Sequence, residues 1–254
     1  MVSRQTQGDE ALKILVLDLE RAPNVLYSWS LREKYIPAEN IIQPSYVMCY
    51  AAKWLGSDEI LFDSIQRSST RNMLKGVHDL LDDADVLVTF NGVRFDSRVL
   101  DAEMFAHKIK PPSPYHELDL YVTSKRFNFP SRKLNYLCQR LGIGQKLEHE
   151  GFQLWKDCMD GKLSAWRKME EYNIQDVQLT EALYLEMRPW IKNHPNLSID
   201  SLEEVCPHCG SDKLVWRGYR EAITRRYRRF RCSECGSWGR ATKCERGTAK
   251  VRGF

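Results

Sequence analysis

The sequence predicts an α/β fold: a mixed five-stranded sheet flanked by helices, with a small metal-held module towards its C-terminal end. Three observations predict it. Short apolar runs come first, and then alternate with helical periodicities, as in a sheet covered by helices. His194–Pro195–Asn196 breaks the last long helical pattern. Two C-x-x-C pairs follow that break.

The elements can be justified in order. Lys13–Leu19 is an almost unbroken apolar run, short enough for a strand buried on both faces. Tyr46–Trp54 and Glu59–Asp63 read as two more strands, and Thr70–Leu81 as a helix. Asp85–Phe90 is another short apolar run, closed by the turn pair Asn91–Gly92, with a helix expected over Ser97–Lys108. Pro111, Pro112 and Pro114 mark a loop before a short strand near His116–Leu118. Helical patterns occupy residues 118–125, 131–140 and 162–190. The expected organisation is a body over 1–195, a linker over 196–205, a four-cysteine module over 206–240 and a basic tail over 241–254. The stretch from about Gly236 to Phe254 reads as small, basic and mobile.

The chain has 254 residues, 43% hydrophobic and 28% charged, enough for one sizeable core and an appendage and unlike a disordered protein. No apolar run approaches the roughly 18 residues of a membrane span, so no membrane association is expected. Met1–Glu10 is polar with no apolar h-region, so no secretory signal is expected and the cytoplasm is the expected location. Its cysteines should then be reduced unless a metal holds them. Charge is divided: residues 206–254 hold 13 Lys+Arg against 4 Asp+Glu, and residues 1–205 hold 25 against 30. An acidic body joined to a basic end is the asymmetry expected of a protein that meets nucleic acid.

Candidate chemistry begins with carboxylates. In a strand, Asp18 and Glu20 project to the same face. Two such charges repel unless a cation sits between them, although a solvated strand end would also tolerate them. Asp96 follows the turn at the end of a strand and precedes a helix, a place for a site residue or for an N-cap. On the long helix, Met169, Tyr172, Asp176, Leu179, Leu183 and Met187 fall within about an 80° arc. A core-facing stripe interrupted by one acid requires a partner for Asp176, either a basic residue or a metal ion. Tyr172 lies one turn earlier on the same side. Carboxylates without His or Cys are hard oxygen donors suited to Mg²⁺ or Mn²⁺, and two such ions can clamp a phosphodiester.

Cys206, Cys209, Cys232 and Cys235 form two knuckles, each closed by a glycine, Gly210 or Gly236. This is the pattern of a closed, structural Zn²⁺ site, with a redox dithiol as the alternative. Between the knuckles, Trp216, Arg217, Arg220, Arg225, Arg226, Tyr227, Arg228 and Arg229 interleave guanidinium groups with rings. That mixture suits phosphates and bases, and predicts nonspecific, salt-sensitive nucleic-acid binding. A protein-docking or solvated hairpin is the plainer alternative.

The segments LVLDLE, TFNGVRFDSRVL and YNIQDV resemble, in order and spacing, the three motifs of DEDD (DnaQ-like) 3′–5′ exonucleases with a ribonuclease H-like fold. The resemblance spans about residues 12–190. Tyr172-x-x-x-Asp176 is similar to the tyrosine (DEDDy) form, and the later segments are similar to the YprB-like, or predicted polymerase-B-type, branch. Similar chains with a zinc ribbon are often phage-encoded, which would place this one in a host cytoplasm. The resemblance implies that Asp18, Glu20 and Asp176 hold a first Mg²⁺ or Mn²⁺ and Asp96 a second. It implies that Tyr172 orients the attacking water, and that Asn91 and Phe95 lie near the substrate. It points to single-stranded DNA or frayed 3′ ends as substrate, and to a polymerase or other replication protein as partner. Two other classes stay open: a catalytically silent binding or scaffolding protein of a replication or transcription complex, and a ribonuclease or endonuclease of the same fold.

Overall fold

The computed structural model describes residues 12–199 and 201–245. These divide into two compact units, one from Lys13 to Leu183 and the other from Tyr184 onward.

In the first unit β1 (Ile14–Arg21) leads into a small hairpin of β2 (Val25–Leu26) and β3 (Ile41–Gln43), then β4 (Val47–Trp54) and β5 (Leu61–Ser64). Helix α1 (Thr70–Asp82), β6 (Val86–Thr89), α2 (Asp96–Ala106) and β7 (His116–Asp119) follow. Four helices complete it: α3 (Leu120–Ser124), α4 (Leu134–Leu141), α5 (Gln153–Met159) and the 25-residue α6 (Leu163–Met187), which runs into the second unit. The sheet order is β5-β4-β1-β6-β7, antiparallel from β5 to β1 and parallel from β1 to β7. The mixed five-stranded sheet is therefore the one expected.

Strand alternation decides which face each residue serves. Leu15, Leu17 and Leu19 of β1 pack with Met73, Leu74, Val77 and Leu81 of α1 and with Leu100 and Met104 of α2. The intervening β1 residues, Asp18 and Glu20, belong to the opposite face. Their β4 partners in register are Ala51 and Cys49. Cys49 packs there with Leu154 and Cys158 of α5 and with Trp166, Met169 and Tyr172 of α6. The predicted α6 stripe is buried along its whole length, from Met169 through Asp176 to Met187.

Three local features depart from expectation. Helix α5 and the β2–β3 hairpin are too short to show a periodicity, and the sequence did not mark them. Asp96 is not the cap of α2: Phe95 takes that place, and the Asp96 carboxylate accepts instead from the Leu19 amide at 3.2 Å. Within the stretch expected to be mobile from Gly236 on, Trp238–Arg240 form a strand paired with Arg229–Arg231. The rest of the predicted tail, from Arg246 on, lies outside the described residues.

The second unit holds β8 (Leu214–Glu221), β9 (Arg226–Cys232) and β10 (Trp238–Arg240) in an antiparallel sheet of order β10-β9-β8. Its two C-x-x-C turns share one build. Cys206 N–H donates to Ser211 O and Gly210 N–H to Cys206 O; Cys232 N–H donates to Ser237 O and Gly236 N–H to Cys232 O. Gly210 and Gly236 have φ of 75° and 77°, the left-handed region in which a Cβ is strained.

Candidate metal centres and substrate groove

Carboxylate oxygens of Asp18, Glu20 and Asp176 lie within 4.8 Å of one another. Two arrive by the i, i+2 alternation of β1, and the third from the buried stripe of α6. Asp96, at the first turn of α2, is buried and acts electrostatically on both Asp18 and Glu20 without joining that triad. Burial and mutual repulsion push Asp18 well above the ordinary carboxylate range. Burial first, then Asp176, raises Glu20 to about 8. Burial raises Asp96 to about 7, against the hydrogen bonds it accepts. Each shift marks a place where an added positive charge is stabilising.

One such charge comes from the protein itself. Lys146, in the loop between α4 and α5, bonds its Nζ to Asp176 Oδ2 and lies 3.1 Å from the Tyr172 hydroxyl. Burial opposes its protonation, but Asp176 and Tyr172 together outweigh burial and keep it an ammonium. Tyr172 is raised by burial and by Asp176, and so stays a neutral phenol. His149 and Trp155 meet its ring edge-on, at 4.9 and 6.0 Å between centroids. Asn173, one residue along α6, donates Nδ2–H to Asp18 Oδ2 at 2.7 Å. A basic partner for Asp176 was one of the two expected, but neither its identity as Lys146 nor the part of Asn173 was foreseen. A lysine in a glycine-flanked loop has no periodicity to place it, and Asn173 carries no charge to draw attention.

The carboxylates fit a divalent cation. The donors are all hard oxygens, and Asp176 Oδ1 is buried with no hydrogen-bond partner. Lys146 shows that a cation is accepted on the other oxygen of the same group. Asp18, Glu20 and Asp176 would hold the ion, with Asp96 beside them.

Asp18 also lines an open groove of about 850 Å³. Its walls carry Phe90, Tyr121 and Phe129 as rings, and Arg94, Arg132, Lys133 and Lys146 as cations. Asn91, at φ 71°, also lines it, held by its amide on Asp119 Oδ1 at 2.9 Å. The same Asp119 oxygen caps α3 through the amides of Tyr121 and Val122. Phe95 lies away from the groove, half-buried against the core and covered by the Arg21 guanidinium at 5.4 Å. Phe90, Tyr121, Phe129 and Arg132 were not singled out by the sequence, because they come from three separate places: the β6–α2 connection, helix α3 and the α3–α4 connection.

In the second unit the sulfurs of Cys206, Cys209, Cys232 and Cys235 lie within 4.8 Å of one another. Cys206 and Cys235 are 3.6 Å apart, and Cys209 and Cys232 are 3.7 Å apart. A disulfide needs about 2.05 Å. Tetrahedral Zn–S bonds of about 2.3 Å place sulfurs roughly 3.8 Å apart. The cluster fits a closed tetrathiolate zinc site, and its ion would be structural. Burial raises Cys206, whereas Cys235, 3.2 Å from Ser237 Oγ, is lowered to about 7 despite burial. Between the knuckles, Trp216, Tyr219, Arg226 and Arg228 share one face of the sheet, with Arg228 over Trp216 and Arg226 over Tyr219. Tyr227 and Arg229 fall on the other face, with Arg220 paired to Tyr227, while Arg217 and Arg225 are exposed at the bulge and the turn.

Among the described residues no helix is long and apolar enough to cross a membrane. No curated protein matches this chain in sequence. Among solved structures, it is similar to the family B DNA polymerase from the hyperthermophilic archaeon Pyrobaculum calidifontis, with a TM-score of 0.54 and 16% identity. That match covers 73% of this chain and 26% of the polymerase, so this chain spans about a quarter of the polymerase's length. The profile of the RNase_H superfamily matches residues 52–188, just over half of the chain and from β4 to the end of α6. With the mixed sheet and its flanking helices, this establishes that the chain belongs to the RNase_H superfamily.

Proposed function

We propose that this protein is a metal-dependent nuclease of the 3′–5′ exonuclease type, acting on single-stranded DNA or frayed 3′ ends. The observation that carries the reading is the meeting of Asp18, Glu20 and Asp176 within 4.8 Å, with Asp18 also lining a groove walled by cations and rings. Single strands are bound by that combination, through phosphate contacts and base stacking. The 3′–5′ direction is the one implied by the DEDDy resemblance of Asp18, Glu20, Asp96, Tyr172 and Asp176.

Asp18, Glu20 and Asp176 would hold one divalent cation, Mg²⁺ or Mn²⁺, and Asp18 with Asp96 a second. Bound there, such ions supply Lewis acidity, easing ionisation of water and offsetting charge on phosphate oxygens. The chain's own groups do the rest. Asn173 fixes the Asp18 carboxylate through its 2.7 Å bond. The neutral Tyr172 hydroxyl, held by Lys146, orients a water by hydrogen bonding and does not act as a strong base. Lys146, Arg132 and Lys133 neutralise the incoming phosphates, while Tyr121 and Phe129 offer stacking surfaces. In the same reading residues 1–195 are the nuclease domain, 196–205 a linker, 206–240 a zinc ribbon and 241–254 a basic tail. Work beside a polymerase or another replication protein fits this substrate.

The test is a time course on 5′-labelled DNA and RNA strands with Mg²⁺ or Mn²⁺. Stepwise shortening by single nucleotides is expected, abolished in Asp18→Asn. A strand left intact with both ions, or one shortened equally by Asp18→Asn, contradicts the proposal.

A further inference from the structure

The two faces of the β8–β9–β10 sheet are built differently. Register and alternation place Trp216, Tyr219, Glu221, Arg226, Arg228 and Phe230 on one face. That face is satisfied internally. Phe230 is buried edge-on against Trp216, with ring centroids 5.2 Å apart, and closes over Gly239, where a Cβ would meet its ring at 2.2 Å. Arg226 pairs with Glu221 at 2.6 Å, and Arg228 with Glu245 at 3.4 Å. The remaining glutamate near the sheet, Glu234, pairs with Lys213.

The opposite face carries Arg220, Tyr227, Arg229, Arg231, Trp238 and Arg240. All four arginines are exposed, and Trp238 is half exposed. Among the described residues none of these arginines pairs with a carboxylate. Arg240 lies over Tyr227 at 3.9 Å and Arg229 over Trp238 at 5.2 Å. Arg229 Nε–H also donates to Arg217 O at 2.9 Å. The rings therefore hold two guanidinium groups in place without neutralising them. This costs less order on binding than a free arginine would, and leaves a row of positive charge on the three-stranded sheet.

We propose that this acid-free face is a docking surface for the phosphate backbone of a nucleic acid, read by charge and spacing and not by base sequence. Charge complementarity selects the partner: guanidinium forks match phosphodiester oxygens, and the face presents no carboxylate to repel them. Trp216, Arg226 and Arg228, basic and aromatic though they are, belong to the internally paired face and are not the contact. The inference does not depend on the nuclease reading, because it concerns binding alone.

The test is fluorescence anisotropy of labelled single-stranded and duplex DNA with the full chain, in buffer without added divalent ion or chelator. The triple variant Arg229→Gln/Arg231→Gln/Arg240→Gln is compared with the opposite-face pair Arg226→Gln/Arg228→Gln. At about 0.7 counterions per phosphate contact on a single strand, three lost contacts lower the salt slope by about 2 and weaken binding about a hundredfold at 0.1 M salt. The opposite-face pair is expected to stay within threefold of the unmodified protein. Equal zinc content and melting temperature check the fold. Should the triple variant unfold, Arg231→Gln alone is expected to weaken binding about fivefold. The two DNA forms tell whether the backbone is met singly or in a duplex, and either result supports the surface. Unchanged binding in the Arg231→Gln or triple variant, equal losses from both faces, or competition by polyglutamate as effective as by DNA overturns it.

Discussion

Consider Lys146→Met, which keeps the aliphatic stem and removes the ammonium. Lys146 bonds Asp176 and sits 3.1 Å from the Tyr172 hydroxyl, and Asp176 is 2% exposed. Breaking a buried ion pair by removing one partner costs about 3–5 kcal/mol. The Lys146 side chain is 26% exposed, so the lower end, about 3 kcal/mol, applies to the metal-free protein. For a unit of this size that lowers the melting temperature by about 6–12 °C. A divalent cation on the same carboxylates replaces the missing charge, so with saturating Mg²⁺ the loss should shrink to about 1 kcal/mol. The thermodynamic cycle then requires the variant to bind the ion about 2 kcal/mol more tightly, roughly thirtyfold. Thermal melts with and without Mg²⁺, and calorimetric titration with Mn²⁺, measure both quantities. An equal loss of melting temperature in both conditions, with unchanged affinity, would refute the idea that lysine and metal occupy one electrostatic niche.

Further outcomes follow from the same geometry. Glu20 and Asp96, raised to about 8 and 7, bind protons more tightly folded than unfolded. Their stabilising contribution is complete below about pH 4 and is lost as pH climbs to 8. Melting temperature of the metal-free protein should therefore fall across that window, and Mg²⁺ should flatten the fall; a flat profile without metal contradicts the acid cluster. Tyr172→Phe preserves the ring packing against His149 and Trp155, and should slow hydrolysis about ten- to a hundredfold with the fold unchanged; full activity would remove Tyr172 from the mechanism. Cys209→Ser takes one sulfur from a four-sulfur set and should reduce bound zinc from one per chain to none by atomic emission; retained zinc would refute the tetrathiolate.

Much of this was legible in the sequence where a period or a motif carries the information. Two-residue alternation fixes Asp18 and Glu20 on one face of β1, and the 100° step fixes Asp176 in a buried stripe of α6. The paired C-x-x-C turns needed only their spacing and two glycines. Legibility ended where position depends on tertiary contact. Lys146 reaches Asp176 from a loop 30 residues upstream. Asp96 stands where a cap is expected, yet its carboxylate turns to the Leu19 amide because β1 lies beside the start of α2. Phe95, expected near the substrate, is packed against the core under Arg21. The division of the β8 and β9 arginines between two faces required the strand register, with its shift at Trp216 to Tyr219, which composition alone does not give.

The most direct test of the central claim is anomalous diffraction from crystals soaked in Mn²⁺. The expected result is a peak at bonding distance from carboxylate oxygens of Asp18, Glu20 and Asp176, with the Lys146 ammonium moved off Asp176. Lys146 still seated on Asp176, with no manganese among those oxygens, would contradict it.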